Sequence, residues 1–252
     1  MPPPPWIVAH RGDADGGLEN TLAACRHAAA AGAHMLEVDV QLAAGGELVV
    51  FHDWDLRRLA DRPEVVEATP WRDLERVRLR PPRRARPAEA AGAGGEDPPR
   101  LATLAALLAA LPADLPLNLE LKRRRAAPEA LLARLAAVLG GRGRVLLSSF
   151  DRELLAAAGE RLSRFPRAPI GRRDGEELLA AGEALGACSL HCHRRLASAE
   201  LARRAAAAGR PLLAYTVNRP ASARELFARG VAGIFSDRPG RLLAALGIPP
   251  RP

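Results

Sequence analysis

Strand-like and helix-like segments alternate along nearly the whole chain of 252 residues. Apolar, β-branched stretches predict strands, and the stretches between them, rich in Ala, Leu and Arg, predict helices. Parallel strands need crossover connections, which are usually helical, so this alternation predicts an α/β fold with a parallel sheet. The predicted strands cover residues 6–10, 35–42, 117–122, 145–150, 167–170, 187–191, 211–217 and 231–236.

Eight such strands favour closure into one (β/α)8 TIM barrel, a fold that typically takes about 250 residues. An open, doubly wound sheet is the alternative, but no G-x-G-x-x-G motif follows a predicted strand. We predict a single barrel domain over residues 1–252, with a small, loop-rich insertion at about residues 54–100, after the second strand. Asp151 and Ser198 are predicted to cap two of the helices.

Half of the formal net charge of +8 comes from residues 76–100, which hold seven arginines against three acidic residues. This stretch is also rich in proline, glycine and alanine, a composition typical of a solvated loop. Only 4% of the residues are aromatic, so the chain offers few platforms on which bases would stack. We therefore expect no nucleic-acid partner.

Cysteine content and hydropathy both predict a cytoplasmic protein. The three cysteines are too few and odd in number for a disulfide framework. The opening MPPPPWIVAH lacks the basic and apolar regions of a signal peptide. No apolar run reaches the roughly 18 residues of a membrane span, so we expect no stable membrane insertion. The oligomeric state is left open.

Acidic side chains occur near the ends of the second and third predicted strands. Glu37 and Asp39 are two residues apart, so they face the same side of their strand, and Glu120 comes from the next strand of the barrel. In such barrels the chemistry lies at the carboxyl ends of the strands. Three carboxylates there predict a site for Mg²⁺ or Ca²⁺, which prefer oxygen ligands. The alternative is a set of interior salt bridges with Arg11 and Lys122.

Two histidines follow apolar strands and are candidates for proton transfer. His10 ends WIVAH and His52 ends ELVVFH, and histidine titrates near neutral pH. A lone histidine there would usually be structural, but two beside three acidic residues indicate an acid–base pair. Arg11 and Lys122 are the cations expected around a phosphate, Arg as a bidentate fork and Lys as a point charge.

The CSLHCH stretch at residues 188–193 has two interpretations. Its cysteines and histidines could bind zinc, but a second ligand pair at zinc-finger spacing is missing from the sequence. We favour a substrate contact by His191, at the end of the sixth predicted strand.

Motifs in a fixed order resemble the glycerophosphodiester phosphodiesterase family, most closely its cytosolic bacterial type. Two departures are Leu18, where the family usually has proline, and Tyr215, where it often has tryptophan. The motifs are HRG at residues 10–12, ENT at 19–21, EVD at 37–39, HD at 52–53, ELK at 120–122 and DRP at 237–239.

The resemblance implies a metal-dependent barrel enzyme of lipid and glycerol metabolism. Such an enzyme hydrolyses a small-molecule glycerophosphodiester to sn-glycerol 3-phosphate and an alcohol, with one divalent cation, usually Ca²⁺ or Mg²⁺. Carried over by position, the motifs imply metal ligands Glu37, Asp39 and Glu120, catalytic His10 and His52, and phosphate-binding Arg11 and Lys122.

Two rival functions stay open at the level of sequence. One is a lipid phosphodiesterase of the phospholipase C or sphingomyelinase D kind, which also pairs two histidines with a metal and would need an apolar, membrane-facing rim. The other is a catalytically dead barrel that binds a phosphate ligand or a protein, although the chain retains both histidines and all three acids. The head group, the physiological metal and the attacking oxygen, whether of water or of the glycerol 2-hydroxyl, are also open.

Overall fold

The strands form one closed sheet in the computed structural model, which describes residues 4–81 and 98–251. The strands are β1 (Trp6–His10), β2 (Met35–Leu42), β3 (Leu48–Val50), β4 (Ala102–Thr103), β5 (Leu117–Leu121), β6 (Val145–Ser149), β7 (Arg167–Gly171), β8 (Leu190–His193), β9 (Leu212–Tyr215) and β10 (Gly233–Ser236). Parallel pairing runs β1–β10–β9–β8–β7–β6–β5–β2, and β2 pairs back with β1, which closes the barrel. The (β/α)8 prediction is confirmed, and the open doubly wound sheet is excluded.

Helices connect the barrel strands and cover the outside of the sheet. The predicted caps are confirmed, because Asp151 Oδ1 accepts a hydrogen bond from Leu154 N at 3.0 Å and Ser198 Oγ accepts one from Leu201 N at 3.1 Å. The helices are α1 (Leu22–Ala30), α2 (Arg57–Ala60), α3 (Trp71–Leu74), α4 (Leu104–Ala110), α5 (Pro128–Leu139), α6 (Arg152–Arg161), α7 (Gly175–Ala184), α8 (Ala199–Ala207), α9 (Pro220–Ala228) and α10 (Pro239–Leu246). A short 3₁₀ helix, Val66–Ala68, lies between α2 and α3.

The sixth barrel strand begins later than the sequence predicted. The prediction of residues 187–191 is wrong by three residues at the start, since β8 begins at Leu190. The residues before it complete the end of α7: Gly186 has a left-handed φ of 57°, and Ala187 N donates to Gly182 O at 2.9 Å. Apolar character alone does not distinguish this helix cap from the start of a strand.

A two-residue period decides which side chains lie inside the barrel. In β2, Leu36 and Val38 pack outward against the helices, whereas Met35 faces the barrel interior. The neighbouring strands keep this register, since Val8 pairs with both Met35 and Phe235. Inward positions further along the strands carry polar groups instead. The interior apolar layer consists of Val8, Met35, Leu146, Ala168, Leu213 and Phe235.

The residues after β2 add a small outer layer with its own core. β3 pairs antiparallel with β2, and β4 pairs antiparallel with β3. Leu56, Leu59, Val66 and Leu74 are buried together beneath α2 and α3. The solvated loop predicted at residues 76–100 falls mostly on residues 82–97, which lie outside the described residues.

None of the helices within residues 4–81 and 98–251 combines the length and the hydrophobicity that a bilayer crossing requires.

We predict that Phe235→Ala lowers the free energy of unfolding by about 3 kcal/mol, because it leaves a cavity in the interior layer. Phe235 is 3% exposed, and its ring centroid lies 4.9 Å from that of His191. Phe150→Ala is the matched control: Phe150 is 43% exposed, so we expect a loss below about 1 kcal/mol. Urea unfolding of both variants measures the difference, and equal losses would contradict the interior placement.

Candidate active site

Two adjacent strands bring three carboxylates together inside the barrel. Glu37 and Asp39 lie on β2, and Glu120 lies on β5 in register with Asp39. One ligand oxygen from each residue lies within 4.8 Å of the others. Glu37 and Asp39 are 2% and 0% exposed. The sequence predicted this juxtaposition from the i, i+2 spacing and the order of the strands.

The surroundings of the two buried carboxylates shift their pKa values in opposite directions. Burial and then the charges of Asp39 and Glu120 raise the pKa of Glu37 well above its usual value. Burial would also raise the pKa of Asp39, but Arg11 and Lys122 outweigh it and hold that pKa below its usual value. Within the described part of the chain, Glu37 Oε1 is buried without a hydrogen-bond partner. An all-oxygen donor set with an unsatisfied oxygen fits a hard divalent cation.

Arg11 and Lys122 compensate part of this buried negative charge. Arg11 Nε lies 3.0 Å from Asp39 Oδ2, and Lys122 Nζ lies 2.9 Å from Glu120 Oε1 and 3.2 Å from Asp39 Oδ1. The salt bridges of the structural alternative are therefore present. A guanidinium has five N–H groups and an ammonium has three, so these salt bridges do not occupy every hydrogen-bond donor of the two cations. Arg11 also lines the cavity described below, where its remaining donors can contact a phosphate, whereas Lys122 lies beside the trio and not on the lining of that cavity.

The turn after β1 aims Arg11 at the carboxylates. Arg11 has a left-handed φ of 59°, and its backbone N donates to Glu37 Oε2 at 2.9 Å. Gly12 follows with φ 100°, and a Cβ there would lie 2.8 Å from the backbone of Ala24. Asn20 Nδ2 donates to Asp39 Oδ2 at 2.8 Å, so the ENT motif supports the same carboxylate. The HRG and ENT motifs are thus parts of one tight loop.

Each candidate histidine is held by a carboxylate that was not among the predicted site residues. His10 Nδ1 lies 2.7 Å from Asp237 Oδ1, and His52 Nδ1 lies 2.7 Å from Asp53 Oδ1. Such a contact fixes the ring orientation and leaves Nε2 as the nitrogen for proton transfer. Asp53 belongs to the HD motif and Asp237 to the DRP motif after the last strand. Their positions in these motifs were the sequence signal that could have identified them as site residues. The partnership of His10 with a residue 227 positions away needed the closed barrel.

Gln41 fixes the segment that carries His52. Its buried Nε2 donates to Phe51 O at 2.7 Å and to Asp53 O at 2.8 Å. Gln41 lies on the same side of β2 as Glu37 and Asp39, so one strand positions both the carboxylates and the histidine segment.

A cavity of about 440 Å³ opens at the carboxyl ends of the strands, and both histidines line it. Arg11, Glu37 and Glu120 line the same cavity, and the fully buried Asp39 lies behind them. The remaining lining residues are Asn118, Phe150, Ile170, Arg172, His191, His193, Arg194, Tyr215, Thr216 and Phe235.

His191 lies deeper than its predicted place at a strand end. It is 1% exposed in the interior of the barrel, and burial lowers its pKa to about 3, so the ring is neutral. Its Nε2 lies 3.3 Å from Ser189 Oγ, and in the described part of the chain its buried Nδ1 has no partner. His193 lies at the end of β8, and the sequence analysis missed it because the strand was predicted to end at residue 191. Cys192, between them, packs into the outer core.

At the carboxyl ends of the barrel strands, the acidic trio offers oxygen ligands that could hold a divalent cation, and the two carboxylate-held histidines lie beside it. The profile of the glycerophosphoryl diester phosphodiesterase family matches residues 10–241. The chain therefore belongs to that family.

Individual relatives agree with this assignment. A phosphodiesterase of Oleispira antarctica, solved in complex with the product sn-glycerol-3-phosphate, superposes with a TM-score of 0.86 at 26% identity, over 97% of each chain. A glycerophosphodiester phosphodiesterase of Caldanaerobacter subterraneus is 51% identical over 47 residues, which is 19% of each chain. One of Bacillus altitudinis is 40% identical over 70 residues, 28% of this chain and 29% of its own. The two curated matches thus span less than a third of those relatives.

We predict that Asp53→Asn lowers stability at neutral pH by about 2 kcal/mol. Burial would raise the pKa of Asp53, but hydrogen bonds from His52 and Arg58 lower it to about 2. A lowered pKa stabilises the fold above the unfolded-state value near 4, and this contribution is lost as pH falls from about 4 to about 2. Urea unfolding of the variant should therefore show a weaker pH dependence in that window.

Asp73→Asn is the matched control, because its carboxylate is 50% exposed and lies 4.0 Å from Arg72. An equal effect in both variants would contradict a specific role for the His52–Asp53–Arg58 contacts.

Proposed function

We propose that this protein hydrolyses glycerophosphodiesters to sn-glycerol 3-phosphate and an alcohol. The observation that carries the proposal is the convergence of three carboxylates and two carboxylate-held histidines on one cavity. Family membership and the Oleispira antarctica relative with its bound product support the same reaction. The cytoplasmic location and a role in phospholipid-derived glycerol metabolism remain predictions.

Glu37, Asp39 and Glu120 would hold one divalent cation, Ca²⁺ or Mg²⁺. When bound, this cation supplies Lewis-acid polarisation of a phosphoryl oxygen. Arg11 and Lys122 border the trio and offer spare N–H donors to the other phosphoryl oxygens. We assign them to phosphate binding, in addition to their contacts with Asp39.

The two histidines would divide the proton transfers. His10 is 15% exposed and sits deep, beside Arg11, so we assign it as the base that takes the proton of the attacking oxygen. His52 is 33% exposed, nearer the mouth, where a released alcohol departs, so we assign it as the donor to the leaving oxygen. Asp237 and Asp53 keep each Nδ1 engaged and orient Nε2. The same division serves an attacking water or the glycerol 2-hydroxyl.

We predict that His10→Ala and His52→Ala each lower kcat by about 10²–10⁴-fold with glycerophosphoethanolamine, because each removes one acid–base group. His27→Ala is the control: His27 is 48% exposed and lies on α1, away from the cavity. Release of glycerol 3-phosphate measures turnover, and circular dichroism checks the fold. Near wild-type kcat in either site variant would disprove that histidine's role.

We predict that Glu37→Gln weakens Ca²⁺ or Mg²⁺ binding at least about tenfold, since even outer partners of metal ligands have effects of this size. Titration calorimetry measures the affinity directly. Without added ions the variant should be no less thermostable than the wild type, because it removes one of three repelling carboxylates. Glu129→Gln, an exposed change in α5, is the control. Unchanged affinity in Glu37→Gln would rule out the ion site.

A substrate comparison separates the proposal from its rivals. Glycerophosphocholine should be hydrolysed, and intact phosphatidylcholine should not. The reverse preference would favour a lipid phosphodiesterase. No product from either substrate, with Ca²⁺ or Mg²⁺ present, would favour a binding protein without activity.

A further inference from the structure

The cavity has two walls of opposite character. Strands β2 and β5 supply the acidic wall, with Glu37 and Glu120. The facing wall comes from the ends of β6 to β9 and carries Phe150, Arg172 and Arg194. The reacting groups described above all lie towards the acidic wall, so the proposed chemistry makes no use of these two arginines.

The side chains of Arg172 and Arg194 are exposed on the facing wall. In residues 4–81 and 98–251, neither has a carboxylate within 4.0 Å, whereas Arg11, Arg58 and Arg123 all form ion pairs. The acid nearest in sequence to Arg172 is Asp174, and its carboxylate is engaged at the start of α7, where it accepts from two backbone N–H groups. The wall therefore presents net positive charge to the cavity.

An aromatic contact positions one of these guanidiniums. Arg172 Cζ lies 5.6 Å from the ring centroid of Phe150, in a cation–π arrangement. Phe150 in turn meets Tyr215 edge-on at 6.3 Å, and Tyr215 Oη donates to Gly171 O at 3.0 Å. This chain of contacts restricts Arg172 before any ligand arrives, which reduces the entropy lost on binding.

A bound diester would place one arm against each wall. Its phosphate belongs beside the histidines, and the neutral hydroxyls of the glycerol arm suit the acidic wall and its cation. The variable alcohol then extends across the cavity to Arg172 and Arg194. Guanidinium groups bind phosphate and carboxylate through paired, charge-assisted hydrogen bonds.

We infer that this wall selects glycerophosphodiesters whose leaving alcohol carries an additional anionic group, a phosphate or a carboxylate. The inference rests on the proposed function and adds the substrate class. Diesters with a cationic alcohol, such as choline or ethanolamine, are the poorer substrates, because two unpaired guanidiniums repel them.

The test compares two substrates that differ by one phosphate: glycerophosphoinositol and glycerophosphoinositol 4-phosphate. For the wild type, kcat/KM should be at least about tenfold higher for the phosphorylated diester, which one charge-assisted hydrogen bond suffices to give. Arg172→Gln and Arg194→Gln should each lower this preference about tenfold. Raising the salt concentration should also lower it, because both guanidiniums are exposed.

Arg173→Gln and Arg195→Gln are the matched controls, since these neighbouring arginines are exposed but do not line the cavity. Both should keep the wild-type preference. Equal use of the two diesters by the wild type would overturn the inference and leave the proposed function standing. An equal fall for both substrates in Arg172→Gln and Arg194→Gln would also overturn it, because the arginines would then bind the shared half. Hydrolysis of neither diester while glycerophosphocholine is still hydrolysed would overturn the inference alone, whereas hydrolysis of none of the three would overturn the proposed function and the inference with it.

Discussion

The rest of the site depends on one electrostatic constraint: three carboxylates share a buried space within 4.8 Å. Such an arrangement is costly unless positive charge or protons compensate it. The surrounding structure supplies Arg11 through a left-handed turn, Lys122 through the end of β5, and Asn20 through the ENT loop. Together these groups compensate Asp39 more fully than Glu37, whose Oε1 lacks a partner among the described residues. That imbalance makes the trio receptive to a divalent cation.

Closure of the barrel brings the other residues of the site together around these carboxylates. Inward positions alternate along every strand, so an apolar layer around Val8 and Phe235 fills the interior, and the next inward positions carry the polar groups. The apolar layer lies below the buried charges and lowers the local dielectric constant, so these charges interact more strongly than they would in water. Because β1 pairs with β10, the first and last strands lie side by side, and Asp237 reaches His10. The fold therefore brings His10 and its carboxylate partner together from opposite ends of the sequence.

The two walls of the cavity are assigned different roles, one in catalysis and the other in the selection of the substrate. The acidic wall and the histidines are built from the motifs that the family shares, and their side chains are engaged by neighbours on several strands. The two arginines of the facing wall are exposed side chains on the loops after β7 and β8. Barrel enzymes commonly vary such loops while keeping the strand-end groups. Substrate choice in this protein is accordingly assigned to Arg172 and Arg194, away from the acidic trio.

The sequence by itself determined the alternation of strands and helices, the barrel and the acidic trio, because these follow from local periodicity and strand order. It also pointed to His10 and His52, through motifs at strand ends. Only the tertiary structure decided that Asp237 orients His10, that β8 is displaced so that His191 is interior, and that Arg172 and Arg194 face the acidic wall. These features depend on contacts between distant strands and on a helix cap that resembles a strand start. Local sequence patterns do not encode such contacts, since they arise only when the sheet closes.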